Sequence, residues 1–266
     1  MAESTTVVAR GFEWRNTVNG RVLRSSALSG VADHLFTTRD QTPAGVHEPD
    51  YDLIGAALGV SSRSVVRVRQ VHGCDVFVAT ADDVSEGTEA DAIVTADPQL
   101  AVSVRVADCV PVLVADHRQR AVAAVHAGWR GTAAGAVVAA VEALDRLDVH
   151  ASDLLVAIGP SIGPCCYQVD AAVREAFAAR HPGADAWFTP DGRDRWRLDL
   201  WRANRALLEA CGVPASSIEV ASACTADRPD VWYSHRRQGS AAGRMVAAIR
   251  IGGRRDHAAA GEGVRT

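Results

Sequence analysis

Three residues in this sequence pair a metal donor or nucleophile with a turn signal. His72 closes the run Val65-Val-Arg-Val-Arg-Gln-Val-His-Gly73, and Cys109 interrupts Val106-Ala-Asp-Cys-Val-Pro111. His126 closes Ala121-Val-Ala-Ala-Val-His126 and is followed by Ala-Gly-Trp-Arg-Gly131. Each sits where a strand-like apolar run gives way to Gly or Pro. Gly at such a turn permits positive φ and a close approach of backbone to ligand. Two imidazoles and one thiolate suit Zn²⁺, and suit copper less selectively. Three protein donors leave a fourth position open, the pattern of catalytic rather than structural zinc. Without a metal, a thiolate beside an imidazole is itself a nucleophile–base pair. Spacing does not choose between these chemistries. It equally admits two turn histidines and a Cys109 that is a small buried hydrophobe. Asp108 is a candidate to orient one imidazole, although its neighbour on a strand faces the other way.

Other segments offer supporting groups. Ile158-Gly-Pro-Ser-Ile-Gly-Pro-Cys-Cys-Tyr167 is a Gly/Pro-rich loop after a strand, either a site wall or a rigid turn. Tyr233-Ser-His-Arg-Arg-Gln-Gly239 places Arg236 and Arg237 beside a Gly, where guanidiniums can fork onto phosphate or carboxylate or simply face solvent. Arg39 and Arg130 carry the same two readings. Adjacent Cys165 and Cys166 are poorly placed for a mutual disulfide. Cys74, Cys211 and Cys224 read as packing residues, and His34, His47, His117, His150, His181 and His257 as surface or loop residues.

The elements that must hold these groups are legible in part. Leu100, Val102, Val104 and Val106 alternate along a half-buried strand. The short apolar runs 112–115, 121–125 and 154–158 read as central strands, and 217–221 and 245–251 as further strands. Gly131 to Leu147 predicts one amphipathic helix on Val137, Val141 and Leu144. Asp170 caps a predicted helix over 171–180. Asp199 caps another that carries Leu200, Ala203, Leu207, Leu208 and Cys211, with Gly212 as its stop. The class is mixed α and β. Residues 1–20 read as a peripheral or poorly ordered segment, 21–251 as one domain, and 252–266 as a disordered tail.

Composition narrows the function. A net charge of −4 gives no electrostatic footprint for nucleic acid, and 5% aromatic residues leave few stacking platforms for bases. No run reaches the roughly 18 apolar residues of a membrane span. Met1 to Arg15 lacks the apolar core of a signal peptide. The expectation is a cytoplasmic protein whose six cysteines are thiols or ligands rather than disulfides. Oligomeric state is not legible.

These segments together resemble a known family. Gln70-Val-His-Gly73, Ala90-Asp-Ala-Ile-Val-Thr95, Ala107-Asp-Cys-Val-Pro-Val112, Ala124-Val-His-Ala-Gly-Trp-Arg-Gly131 and the 158–167 loop occur in the order found in laccase-domain, or YfiH-like, proteins. Leu198-Asp-Leu, Ala223-Cys-Thr and Ser234-His-Arg-Arg-Gln-Gly follow in the same order. The match runs from about Ser64 to Ile251. The resemblance implies a single α/β domain of mixed sheets packed between helices, with a His72, Cys109 and His126 zinc site in a surface pocket. It also implies action on a nucleoside and phosphate: phosphorolysis of adenosine, inosine or methylthioadenosine, with adenosine deamination beside it. Arg39, Arg236 and Arg237 would then supply the phosphate cradle. Family members are also described as copper-dependent polyphenol oxidases and as peptidoglycan-editing proteins, the latter reading making Cys109 a hydrolase nucleophile. The segment after Arg39 is shorter than in the family, and Ala107 and His235 stand where Thr and Tyr are usual. Multicopper oxidation needs about ten His ligands to hold several coppers, and this chain has nine in all, with no His-x-His pair. Zinc-assisted nucleoside phosphorolysis is the reading the sequence favours.

Overall fold

Apolar side chains recurring at every second position build the body of the protein. The computed structural model describes residues 10–42, 48–81 and 87–252. The chain opens with β1 (Phe12–Thr17), β2 (Gly20–Ser25) and β3 (Ala32–Thr37). Next come α1 (Tyr51–Leu58), β4 (Val65–Val66), β5 (Val76–Ala79), β6 (Ala92–Thr95) and β7 (Ala101–Val106). β8 (Val110–Asp116) and β9 (Val122–Ala127) lead into α2 (Trp129–Ala134) and α3 (Ala136–Asp145). β10 (Leu154–Ile158), β11 (Gln168–Asp170), α4 (Ala171–Ala178), β12 (Phe188–Pro190) and β13 (Arg195–Leu198) follow. α5 (Leu200–Ala210), β14 (Ile218–Val220), the one-turn α6 (His235–Gln238) and β15 (Met245–Ile251) complete the fold.

Two six-stranded sheets dominate, ordered β1-β2-β3-β15-β7-β4 and β14-β10-β8-β9-β6-β5, beside a small β11-β13-β12 sheet. Both large sheets are mixed: β4–β7, β5–β6 and β10–β14 are parallel pairs within otherwise antiparallel ladders. Period-2 alternation assigns each side chain to a layer. Val102, Val104, Ala247 and Ile249 of the first sheet meet Ile93, Leu113, Ala124 and Ala157 of the second in one shared core. The outer face of the first sheet, including Leu35, Val246 and Ala248, is covered by Tyr51, Ile54 and Leu58 of α1. The outer face of the second, including Val112, Val114 and Val125, is covered by Val137, Val141 and Leu144 of α3 and by Leu208 of α5. The layers therefore run helix, sheet, sheet, helix, the mixed α/β class expected. Strands β8 and β9 are buried along their whole length, which is why they read as continuous apolar runs.

The local signals hold where they are local. Asp170 accepts from the Val173 amide and Asp199 from the Arg202 amide, each capping its helix. Gly212 takes the positive φ of a helix stop. The single helix predicted over 131–147 is instead two, because Gly135 adopts φ 89° and ends α2 before α3 begins. β1 lies within the stretch 1–20 and forms the edge of the first sheet, where Phe12 is buried against Phe36. Of the tail, 253–266 lies outside the described residues.

His34 departs from its surface assignment: it is fully buried in β3. The Ser25 amide donates to its Nε2 at 2.8 Å, and its Nδ1 lies 3.2 Å from the Ala32 carbonyl. A neutral ring protonated at Nδ1 satisfies both. Burial pushes its pKa down to about 4, against a raising contribution from the Ala32 carbonyl. As pH falls below 6.5 the unfolded chain takes up this proton first, so the stability associated with neutral His34 is present above that pH and is lost towards pH 4. Over that window the loss is roughly 3 kcal/mol. Urea midpoints measured from pH 7 to 4 should fall less steeply for His34→Gln than for the parent chain; parallel slopes would exclude His34 as the source.

Candidate metal centre

Side-chain donors of His72, Cys109 and His126 all lie within 4.8 Å of one another. The two imidazoles meet edge to face with centroids 4.9 Å apart. They line one cavity of about 680 Å³ and are graded in exposure, with His72 open to solvent, Cys109 half-buried and His126 buried.

Different elements deliver them. His126 lies within β9, opposite Pro111 of β8, rather than beyond the strand's end. Cys109 sits in the tight turn joining β7 to β8. His72 was expected to end a strand over 65–71, but β4 stops at Val66 and His72 lies in the loop before β5 with φ 63°. The reason is Asp91, a residue of the Ala90–Thr95 motif whose role is not legible in the sequence. Its carboxylate is fully buried and accepts from the amides of Val71 (3.2 Å), His72 (3.0 Å) and Gly73 (2.6 Å). Three successive N–H groups converge on one anion, a backbone nest that holds His72 in the left-handed region. The oxygen that accepts from His72 N–H also accepts from His126 Nδ1 at 2.7 Å. One carboxylate thus sets the backbone of His72 and the ring of His126. With Nδ1 donating to Asp91, His126 Nε2 is the nitrogen left to ligate. A lone Asp interrupting the apolar run at Ala90-Asp-Ala-Ile-Val was the available signal.

Asp108 does not orient an imidazole. It accepts from Thr225 Oγ1 at 2.6 Å, Ser234 Oγ at 3.0 Å and the Arg236 amide at 2.6 Å. Its own φ is 89°, so these bonds pin the strained turn that aims Cys109. Two glycines let the chain close around the centre. A Cβ on Gly128 would stand 2.8 Å from Cys109 Sγ, and one on Gly131 would stand 2.9 Å from the Gly73 carbonyl. That close approach explains the Gly-Trp-Arg-Gly spacing after His126.

The electrostatics ready Cys109 as a thiolate, while His126 must shed its Nε2 proton to ligate. Burial alone would raise the Cys109 pKa, but hydrogen bonds from His126 and His72 bring it down to about 6. Burial alone would lower His126, but Asp91 and Cys109 hold it up at about 9. Burial opposes ionisation of Asp91 as well, and the donors from His126 and the Gly73 amide hold its carboxyl below the usual range. Two imidazoles and a thiolate that readily ionises are the donor set of Zn²⁺, with room left in the cavity for a fourth ligand.

The arginines divide. Arg236 lines the cavity, its guanidinium donating to the Gln168 carbonyl at 3.1 Å over the Tyr167 ring. Arg39 lies outside the lining, bonded to the Pro229 carbonyl and stacked on Tyr233. Arg237 is likewise outside, bonded to the Ala226 carbonyl. Arg105, Arg130 and Arg244 line the cavity instead. Of the histidines assigned to surface or loops, His117, His150 and His181 bond to the Asp153 carbonyl, the Asp145 carboxylate and the Ala133 carbonyl. His47 and His257 lie outside the described residues.

A family model described as multi-copper polyphenol oxidoreductase laccase matches residues 32–252. A purine nucleoside phosphorylase of Bacteroides thetaiotaomicron is 35% identical over 245 residues, covering 91% of this chain and 82% of its own. A protein named adenosine deaminase, from an unknown prokaryotic organism, is 36% identical over 249 residues, covering 90% of this chain and 94% of its own. The crystal structure of a hypothetical protein YfiH from Bacillus licheniformis superposes with a TM-score of 0.80 at 28% identity, covering 90% of this chain and 99% of its own.

Asp91 generates a direct prediction. Asp91→Asn should weaken zinc binding about 10- to 100-fold in a competition titration against a chelator, with the circular dichroism spectrum unchanged. Parent-like affinity in a folded Asp91→Asn chain would remove Asp91 from the account of the centre.

Proposed function

The chain belongs to the multi-copper polyphenol oxidoreductase laccase family, and we propose that within it this protein is a zinc-dependent purine nucleoside phosphorylase. The observation that carries the reading is that four guanidiniums, Arg105, Arg130, Arg236 and Arg244, line the same cavity as His72, Cys109 and His126. Relatives named purine nucleoside phosphorylase support it.

Phosphorolysis needs a grip on phosphate, a seat for the nucleoside and a proton for the departing base. The arginines provide the first, since forked N–H donors match a tetrahedral oxyanion. Arg236 and Tyr167 hold each other, and Trp129 carries the Arg130 guanidinium 4.4 Å from its ring centre. Trp129 and Tyr167 also flank the cavity with aromatic faces for a purine. Burial pushes the Tyr167 phenol up, so it stays a hydrogen-bond donor at neutral pH. His235 lines the cavity and can pass a proton to the leaving base, whereas both Glu48 oxygens accept from Arg105, at 2.8 and 2.6 Å. Asp108 lines it too, but its oxygens are taken by Thr225, Ser234 and the Arg236 amide. About 680 Å³ accommodates a nucleoside together with phosphate. Zinc on His72, Cys109 and His126, when bound, would supply Lewis-acid polarisation of an oxygen at the reacting end. Arg39 and Arg237 are better assigned to the walls than to the phosphate.

Polyphenol oxidation asks for more than this donor set. Among the described histidines only His72, His126 and His235 line the cavity, too few for the several coppers that four-electron O₂ reduction employs. A cysteine hydrolase is the second reading, favoured by Cys109 standing between two imidazoles within 4.8 Å.

Purified protein incubated with inosine, adenosine or methylthioadenosine should release free base only when phosphate is present, and lose that activity in chelator. Base release independent of phosphate contradicts phosphorolysis. Full activity in chelator that disappears on thiol alkylation supports the hydrolase. Inosine formed from adenosine without base release supports deamination. Arg130→Ala should raise the KM for phosphate about tenfold or more, the cost of one charge-assisted hydrogen bond, while leaving the nucleoside KM within about twofold. An unchanged phosphate KM would place the oxyanion elsewhere.

A further inference from the structure

We propose that Cys165, Cys166 and Cys224 form a second, all-thiolate site for a soft monovalent cation of the Cu(I) type. Their sulfurs all lie within 4.8 Å of one another, with Cys165 and Cys166 Sγ 3.6 Å apart. Sulfurs bound to a common ion at about 2.3 Å each stand about 4 Å apart, so the three need little movement to share one. Donors consisting of thiolates alone select soft cations, and three of them without a nitrogen or carboxylate partner suit a trigonal Cu(I) better than a four-coordinate Zn²⁺.

The surroundings give the trio the character of a built site. Cys224 is buried and held by the bridge pairing it with Ser161, flanked by Ser161 N–H to the Ala223 carbonyl and Thr225 N–H to the Ser161 carbonyl. The Gly163 amide donates to Cys224 Sγ at 3.2 Å, the kind of N–H···S bond that stabilises a coordinated thiolate. Gly163 itself packs against Trp201, where a Cβ would stand 2.6 Å from the ring. Cys165 is exposed, giving an entry path from solvent. Burial and the neighbouring sulfurs push the Cys165 thiol up to about 12, and burial pushes Cys166 up as well. A cation entering the trio therefore displaces thiol protons to solvent, one from each sulfur it binds, with no change of oxidation state.

The site lies behind the wall of the cavity without being part of it. Ile162 and Tyr167, at the two ends of the same loop, line the cavity, and the Cys166 carbonyl accepts from Arg236 at 3.4 Å. An ion on the three sulfurs would clamp the loop that carries that wall. It would also put copper in the protein without the multi-histidine clusters of an oxidase, and it holds whether or not the first centre takes zinc.

The test is an anaerobic titration of the reduced, zinc-treated chain with Cu(I) against a colorimetric Cu(I) chelator, with copper X-ray absorption on the product. One equivalent should bind with a sulfur-only coordination shell and without zinc release. Cys165→Ser, on the surface, should weaken it at least about tenfold, and Cys224→Ser should abolish it. Cys109→Ala, which removes the thiolate of the first centre, should still take up the equivalent, so failure of the zinc reading leaves this result intact. Uptake that displaces zinc, a shell containing nitrogen, or parent-like Cu(I) affinity in Cys165→Ser or Cys166→Ser would overturn the proposal.

Discussion

The centre depends on one buried carboxylate. Asp91 is removed from water, which is unfavourable for a charge unless donors replace the solvent. Four do: three consecutive amides from Val71 to Gly73 and the Nδ1 of His126. The arrangement is reciprocal. The nest keeps Asp91 ionised, and Asp91 keeps the nest folded with His72 at a φ that a non-glycine residue rarely adopts. Because His72 and His126 answer to the same rigid group, their separation does not depend on a flexible loop finding its place. The third, Cys109, is aimed independently by Asp108, whose oxygens tie the turn to Thr225, Ser234 and Arg236.

The two sheets explain why these residues can meet. β9 carries His126 beside β6, and Asp91 directly precedes β6, so the His126–Asp91 bond is an extension of a strand pair. The His126 amide also donates to the Asp91 carbonyl at 2.7 Å. Cys109 comes from the turn through which the chain leaves the first sheet for the second. The site is thus assembled at a crossing between layers, on strands whose two faces are both buried and which leave little freedom to misplace it.

What was legible in the sequence follows from the range of the forces involved. Alternation in Leu100 to Val106 and the caps at Asp170, Asp199 and Gly212 are local signals, and the structure has those elements. Gly135 misled because an Ala-rich pattern tolerates a glycine in a helix, and only the backbone shows that this one takes φ 89°. His34 resembled a surface residue because the Ser25 amide that satisfies its ring comes from another strand. Asp91 had no visible role, since its four donors arrive from positions 71–73 and 126. Proximity to a Gly turn likewise says nothing about which side of a wall a guanidinium faces. Arg236 reaches the cavity and its neighbour Arg237 turns to the Ala226 carbonyl.

The proposed chemistry rests on a division of labour between a rigid donor trio and four arginines lining the same cavity. The most direct measurement of the central claim is a crystal structure of the zinc-treated protein with anomalous scattering recorded across the zinc edge. The account predicts a single strong zinc peak about 2.0–2.1 Å from His72 and His126 nitrogens and about 2.3 Å from Cys109 Sγ, with the fourth position facing the arginines. A zinc peak elsewhere in the chain, or none at these three residues, would contradict it.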